Sequence, residues 1–188
     1  MNTNKDNFNL WFRDILKLLY DKENAGFPIL MITFPLLERY LRSKSGLSYD
    51  DNLDPCFYDQ LVKLFPELKD NKNATLFWNV YRNGILHQST LSEKDRKGKT
   101  MPSGGLTSNI KESIEIDSND DFSVNPVKFA KKVITTIDKD FSTFEALGVS
   151  TPKLATIQIT SGGYNATCGS AQRMIPPVGF SGHDKAKP

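Results

Sequence analysis

The sequence predicts an all-α protein, a bundle of four to five helices around one core. Apolar residues recur at helical spacing in successive segments. Two of those segments open on a capping residue followed by proline, Asp54-Pro55 and Asn125-Pro126. The alternating run "IKESIEID" is only eight residues long, enough for a strand or one arm of a small β-hairpin insertion. With 188 residues and 38% apolar content, the chain can build one sizeable core and at most one accessory segment. The expected division is a helical domain over 1–148 and an irregular tail over 149–188.

The elements follow in order. From about Asn9 to Asp21, a helical stripe is formed by Phe8, Trp11, Phe12, Ile15, Leu18 and Leu19, with charges opposite. A second helix over Phe27 to Ser43 has the stripe Leu30, Phe34, Leu37 and Leu41. Pro28 suits its first turn, and Pro35 should kink it by removing a backbone donor. Gly46 and "SYDDNLD" read as a loop. Asp54-Pro55 starts the third helix, with Phe57, Leu61, Leu64 and Phe65 facing inward, and Asn73 can cap the fourth. The stretch "LSEKDRKGKTMPSGGLTSN" reads as a long charged loop. After Asn125-Pro126, the residues Ala130, Val133, Ile134, Ile137, Phe141 and Phe144 form the most regular stripe of the chain, ending at Gly148. The tail is rich in Gly, Ser, Thr and Pro, has four basic residues and one acid, and is expected to be mobile apart from an extended "ATIQI".

Charge decides little by itself. The formal net charge is +2, from 24 basic and 22 acidic residues, so only a local basic surface could recruit nucleic acid. Cys56 and Cys168 follow no metal or redox spacing, which suits a reducing compartment. The N-terminus "MNTNKDNFNLWFRD" is unlike a secretory signal, and "GFPILMITFPLL" is too short and proline-broken to span a bilayer. The expected setting is cytoplasmic, without a membrane. Without a secretory route, the sequons at Asn73 and Asn165 are read as chance.

The chemically informative stretch is "WNVYRNGILHQ", Trp78 to Gln88. At about 100° per residue, Leu76, Phe77, Val80, Tyr81 and Gly84 share one arc of a helix, and Asn79, Arg82, Asn83, Leu86 and His87 share the other. Asn83 and His87 are helical neighbours. Arg82 and His87, five apart, diverge by about 140° on a regular α-helix, too wide for one small group. Either the helix loosens at Gly84, or a second copy faces it across a two-fold axis. These residue types suit attack on a phosphodiester. Histidine can exchange a proton with a ribose 2′-hydroxyl or a leaving 5′-oxygen, arginine can hold the phosphate, and asparagine can orient either without titrating. That chemistry needs no cofactor and no metal ligands. The bland alternative is a hydrogen-bonded structural histidine beside an arginine that reaches to solvent.

"YRNGILHQ" resembles the signature of the HEPN superfamily, an arginine followed by four to six residues and a histidine, with a polar residue after the arginine. "GFPILMITFPLLERYLR" resembles the early bundle helix of uncharacterised bacterial proteins that carry the same string. The resemblance spans roughly Asn9 to Leu147. It implies a small helical bundle and, in many members, a metal-independent endoribonuclease whose site is completed by homodimerisation. Such members occur in toxin–antitoxin, abortive-infection and CRISPR-associated systems, which implies an antitoxin or defence-system partner. Carried over by position, Arg82 contacts the phosphate, His87 is the acid–base residue, and Asn83 supports them. Other members are non-catalytic binding or scaffold modules, so a helical module for nucleic acid, nucleotide or protein is the alternative.

Other features carry less. Lys94, Arg96, Lys97 and Lys99 follow His87 closely and could guide an RNA backbone, although such runs are usually solvated loops. "GKT" at Gly98–Thr100 lacks the P-loop glycine, since position 93 is Glu93. Trp11, Trp78 and Tyr81 fit core packing better than base stacking. His183 falls in the tail.

Overall fold

The computed structural model describes residues 4–88, 91–94, 100–146, 156–160 and 163–167. At 87–88, 92–94, 100–101, 156–160 and 163–167 the description is of backbone alone. The chain is mostly helical, but it is not all-α, because four of its strands form a mixed sheet against the helices.

The N-terminal run comprises α1 (Asn4–Phe8), a π-helical turn (Asn9–Arg13) and α2 (Asp14–Leu19), with helical dihedrals at both junctions. The π-turn takes up one residue more than an α-turn, and so advances the phase of the pattern. Phe8, before the turn, and Leu16, after it, are the buried apolar residues of this run, whereas Ile15 and Leu18, expected inside, are exposed.

Helix α3 (Gly26–Ser45) is the central element and continues through Pro35. Its expected stripe, Leu30, Phe34, Leu37 and Leu41, is fully interior. Gly46 ends it at φ +73°, a conformation that suits glycine, with its N–H donated to the Arg42 and Ser43 carbonyls. Helix α4 (Pro55–Leu64) begins as expected, with the Phe57 N–H donated to Asp54 Oδ1 at 3.0 Å. Helix α5 (Asn71–Trp78) is capped by Asp70 rather than Asn73, because Asp70 Oδ1 accepts from the Asn73 N–H at 2.8 Å. A π-helix (Asn79–Gln88) continues directly from it.

The anticipated hairpin is only part of the sheet. Strands β1 (Ser92–Lys94), β2 (Thr100–Leu106), β3 (Ile114–Ile116) and β4 (Phe122–Val124) lie in the order β1-β2-β4-β3. β2 and β4 run parallel and the outer pairs antiparallel, with Leu106 and Ile114 both opposite Val124. β3 lies within the expected alternating run, and Ile114, Phe122 and Val124 are buried. The β3–β4 turn is built on Asp117, whose Oδ1 accepts from the N–H groups of Asn119 and Asp121.

β2 is the unexpected strand, since "TMPSGGL" has the composition of a loop. Its reason is tertiary. A Cβ at Gly104 would lie 2.9 Å from Val80 Cγ1 and 3.0 Å from Tyr81 Cζ, so glycine lets the π-helix approach the strand. The Tyr81 hydroxyl accepts from the Gly105 N–H at 3.1 Å and lies 2.9 Å from the Gly105 and Phe122 carbonyls, one of which takes its proton. One side chain thereby joins the parallel strands.

Asn125 caps α6 (Pro126–Lys139) through the Lys128 N–H at 3.0 Å, as its sequence indicates. The last expected helix divides at Asp140, where the backbone leaves helical geometry, and α7 (Phe141–Glu145) follows. Phe34 lies at the centre of the core, with its ring against those of Phe77, Trp78, Tyr81 and Phe129, and Phe129 stacks on Phe65. Such aromatic contacts add to the transfer free energy of burying the rings.

Chain contacts divide the protein into Met1–Thr151 and Pro152–Pro188. In the second unit, β5 (Thr156–Thr160) pairs antiparallel with β6 (Gly163–Thr167), so "ATIQI" belongs largely to a hairpin. The expectation of a mobile tail otherwise falls outside the described residues. Among the described residues, no helix is long and apolar enough to cross a membrane.

Candidate functional site

The π-helix carries the predicted motif and alters its geometry. Of the expected packing arc, Phe77, Val80, Tyr81 and Gly84 are buried, together with Ile85, whereas Leu76 is partly exposed; of the other arc, Asn79, Arg82, Asn83 and Leu86 are partly exposed. The hydrogen bonds, however, run from i to i+5. Residue i+5 therefore stacks over residue i, as residue i+4 does in an α-helix. The backbone positions of Arg82 and His87 stand one π-turn apart on the same side, where the α-helical estimate separated them widely. The helix passes through Gly84 without a break. Tyr81 and Gly104 fasten the opposite side to the sheet. Burial raises the Tyr81 phenol well above the ordinary tyrosine range, partly offset by its bond from Gly105.

A polar ladder crosses the helix at Arg82. Asn83 Nδ2 donates to Asn79 Oδ1 at 3.2 Å, and Arg82 Nη1 donates to Asn83 Oδ1 at 3.3 Å. Arg82 Nε and Nη2 both lie 2.9 Å from Glu38 Oε2 on α3. The other Glu38 oxygen accepts from Arg42 Nε at 3.0 Å. Arg42 Nη1 then donates to the carbonyls of Ser48 and Asp51, both at 2.9 Å, tying the loop after α3 to the ladder. Glu38 thus serves two guanidinium groups, one through each oxygen. The side chains of Glu38 and Arg42 are only 12% and 9% exposed, whereas Arg82 is 25% exposed and reaches the surface. Tyr58 on α4 borders this group. Burial raises its phenol, against the opposing influence of a Thr75 hydrogen bond and the Arg42 charge.

The predicted site residues are therefore placed unequally. Arg82 and Asn83 are in direct contact. His87 occupies the adjoining turn by its backbone, and its side chain lies outside the described residues. Lys94 ends β1 by its backbone, while Arg96, Lys97 and Lys99 lie outside the described residues. Trp78 and Tyr81 are core residues rather than base-stacking surfaces.

Three participants were not expected from the sequence: Glu38, Arg42 and Asn79. Glu38 had a readable signal, because it falls four residues after Phe34 and three before Leu41, within the arc of α3 that must be apolar. A carboxylate there requires a partner, since an unpaired buried charge is too costly to keep. Arg42, four residues later, is the local half of that answer. Among the described residues, no group of three or more His, Cys, Asp or Glu side chains could together hold a metal ion. Comparison with protein-family models, curated proteins and solved structures finds no match.

Proposed function

We propose that the protein is a HEPN-like, metal-independent endoribonuclease of the toxin or antiviral-defence type. The observation that carries this reading is the π-helical turn, which stacks the Arg82 and His87 positions while Glu38 and Asn83 hold the guanidinium. Arg82 binds the scissile phosphate and offsets the charge that grows in the transition state. His87 takes the proton of the adjacent 2′-hydroxyl and returns one to the leaving 5′-oxygen, giving a 2′,3′-cyclic phosphate. Asn83 fixes the arginine. A homodimer could bring a second such helix to the same substrate, and the basic residues Lys94, Arg96, Lys97 and Lys99 would follow the RNA backbone. The proposed setting is cytoplasmic, with an antitoxin or defence-system protein as partner.

One observation favours the alternative of a non-catalytic helical module for nucleic acid, nucleotide or protein. Arg82 is already paired with Glu38, as a purely structural arginine would be. RNA cleavage in EDTA separates the two readings. Wild-type protein should cut single-stranded RNA to cyclic-phosphate ends, and Arg82→Ala and His87→Ala should each slow cutting about 100-fold or more. Variants that cut as fast as wild type, or a wild type that cuts no RNA, would exclude the enzymatic reading.

A further inference from the structure

Helix α6 is sharply two-sided. At about 100° per residue, Lys128, Lys131, Lys132, Thr135 and Lys139 fall within an arc of roughly 100°. Phe129, Ala130, Val133, Ile134 and Ile137 fill the buried opposite side. Runs of charge are ordinarily just solvated surface. Two observations set this face apart. Arg13, Lys17, Tyr20, Lys131, Thr135 and Asp138 line a depression of about 270 Å³ between α6 and the N-terminal run. Its cations are also held in place, since Arg13 is paired with Asp138 and Lys131 Nζ stands 5.1 Å from the centre of the Tyr20 ring.

The carboxylates around this face have their own cations. Asp138 takes Arg13, Asp14 takes Lys17 at 3.1 Å, and Glu67 takes Lys132 at 3.4 Å. Asp140 is engaged by Lys44, Tyr40 and Thr143. Lys5 adjoins Asp6, and Lys111 adjoins Glu112. The loop 21–23 brings one more acid than base close to the start of α6, against Lys128, whose Nζ also donates to the Ile110 and Lys111 carbonyls. Lys131 and Lys139 are exposed and, among the described residues, form no ion pair with a carboxylate. Positive charge therefore extends along about 12 Å of helix, from Lys131 past the Thr135 hydroxyl to Lys139. A stacked strand presents a phosphate about every 3.4 Å of its axis, so this face spans several phosphates rather than one. The same arc carries no apolar side chain that could enter a bilayer.

We infer that the outer face of α6, with the depression beside it, is an RNA-binding surface that follows the phosphate backbone of a single strand. Lys131 and Lys139 neutralise phosphates, and the hydroxyls of Thr135 and Tyr20 lie between and beside them as hydrogen-bond donors. The inference takes from the proposed function only that RNA is the partner, and it depends on neither Arg82 nor His87.

The test uses the full chain in a His87→Ala background that prevents cutting, with a fluorescent single-stranded RNA oligonucleotide across a salt series. Lys131→Gln/Lys139→Gln should weaken binding about 10-fold and reduce the salt slope by about 1.4, two phosphate contacts at about 0.7 each. Lys63→Gln/Lys72→Gln makes the same charge change at exposed residues of α4 and α5 and should leave both nearly unchanged. Thr135→Glu places a carboxylate between the two lysines and should also weaken binding. All five positions are exposed, and circular dichroism with thermal melting checks that each variant folds. Inorganic pyrophosphate should compete poorly, because it is shorter than the face. Competition equal to that of unlabelled RNA, at equal phosphate concentration, would overturn the inference in favour of a single-anion pocket. Equal losses in the two double variants, or no loss in Lys131→Gln/Lys139→Gln, would overturn it as well. In that last case, lysine-dependent binding to phosphatidylserine vesicles would mark the face as a membrane contact instead. Wild type that cuts RNA while the α6 variant binds it undiminished leaves the ribonuclease reading standing without this surface. Lysine-dependent RNA binding by a wild type that cuts nothing leaves the surface standing and removes the ribonuclease reading. A wild type that neither binds nor cuts RNA removes both.

Discussion

On α3, Glu38 meets Arg82 and Arg42 in the interior, whereas Tyr40 and Lys44 of the same helix meet Asp140 near the surface. In the second cluster, Asp140 Oδ2 accepts from Lys44 Nζ at 2.8 Å and from the Tyr40 hydroxyl at 3.2 Å, and Oδ1 accepts from Thr143 at 2.7 Å. Lys44 is 43% exposed and Asp140 29%. Hydrogen bonding from Lys44 and then Thr143 holds the Asp140 carboxyl below the ordinary range, and its bond to Asp140 raises Lys44. That cluster clasps α7 to α3, helped by Ser43 Oγ and Arg39 Nε donating to the Thr143 and Phe144 carbonyls. The Glu38 cluster is also centred on one carboxylate, but Glu38 and Arg42 are enclosed and Arg82 is the member that reaches the surface. Taking an ion pair out of solvent rarely repays itself in stability. A surface clasp is a cheap way to dock a short helix, but the buried Glu38–Arg42 pair calls for another explanation. Its connection to the motif arginine supplies one.

The comparison can be broken most directly at the motif itself. Arg82→Ala and His87→Ala should reduce RNA cleavage by about two orders of magnitude or more, against no effect from Asp140→Asn, as measured by turnover of labelled RNA. The next effect is on stability. Glu38→Ala leaves the enclosed Arg42 and the half-buried Arg82 without their carboxylate and should cost about 3 kcal/mol in denaturant unfolding. A loss below about 1 kcal/mol would place Glu38 in the same category as Asp140.

Tyr81→Phe sharpens the contrast between the polar and packed sides of the π-helix. It strands the Gly105 N–H, at a cost of about 1–3 kcal/mol. Because burial raises the folded pKa of Tyr81, the stability linked to it is complete below the ordinary tyrosine pKa. That stability is lost as the pH rises into the alkaline range, where the unfolded chain ionises first. Unfolding measured from pH 8 to 11 should therefore show an alkaline decline that is smaller in Tyr81→Phe. Asp140→Asn should have the smallest effect, under about 1 kcal/mol, screened further by salt. The folded pKa of Asp140 is depressed, so its contribution is present above the ordinary carboxylate pKa and lost as the pH falls through the folded value. An acid titration of stability should show that window in wild type and a reduced one in the variant.

The site was partly legible in the sequence, at the positions where local patterning decides. The two arcs of "WNVYRNGILHQ" were readable because burial on this helix follows simple periodicity. The angle between Arg82 and His87 was not, because a π-helix differs from an α-helix only in which carbonyl each N–H selects, and many sequences are compatible with either. The same limit misled the N-terminal stripe, where one π-turn exchanges Leu16 for Ile15 on the inner face.

Some features were fixed by the sequence by itself. Asp54-Pro55 and Asn125-Pro126 start helices because a side-chain acceptor and a residue without an N–H satisfy the first turn locally. The stripes of α3 and α6 are interior because apolar residues at helical spacing leave no other face to bury. Tertiary structure alone decided the rest. "TMPSGGL" is a strand because the Tyr81 hydroxyl accepts from the Gly105 N–H, 24 residues away, and the bare Cα of Gly104 leaves room for Val80 and Tyr81. Glu38 meets Arg82 across 44 residues, and no local pattern encodes that distance. Such pairings depend on where α3 and the π-helix cross, which is set by the packing of the whole core around Phe34.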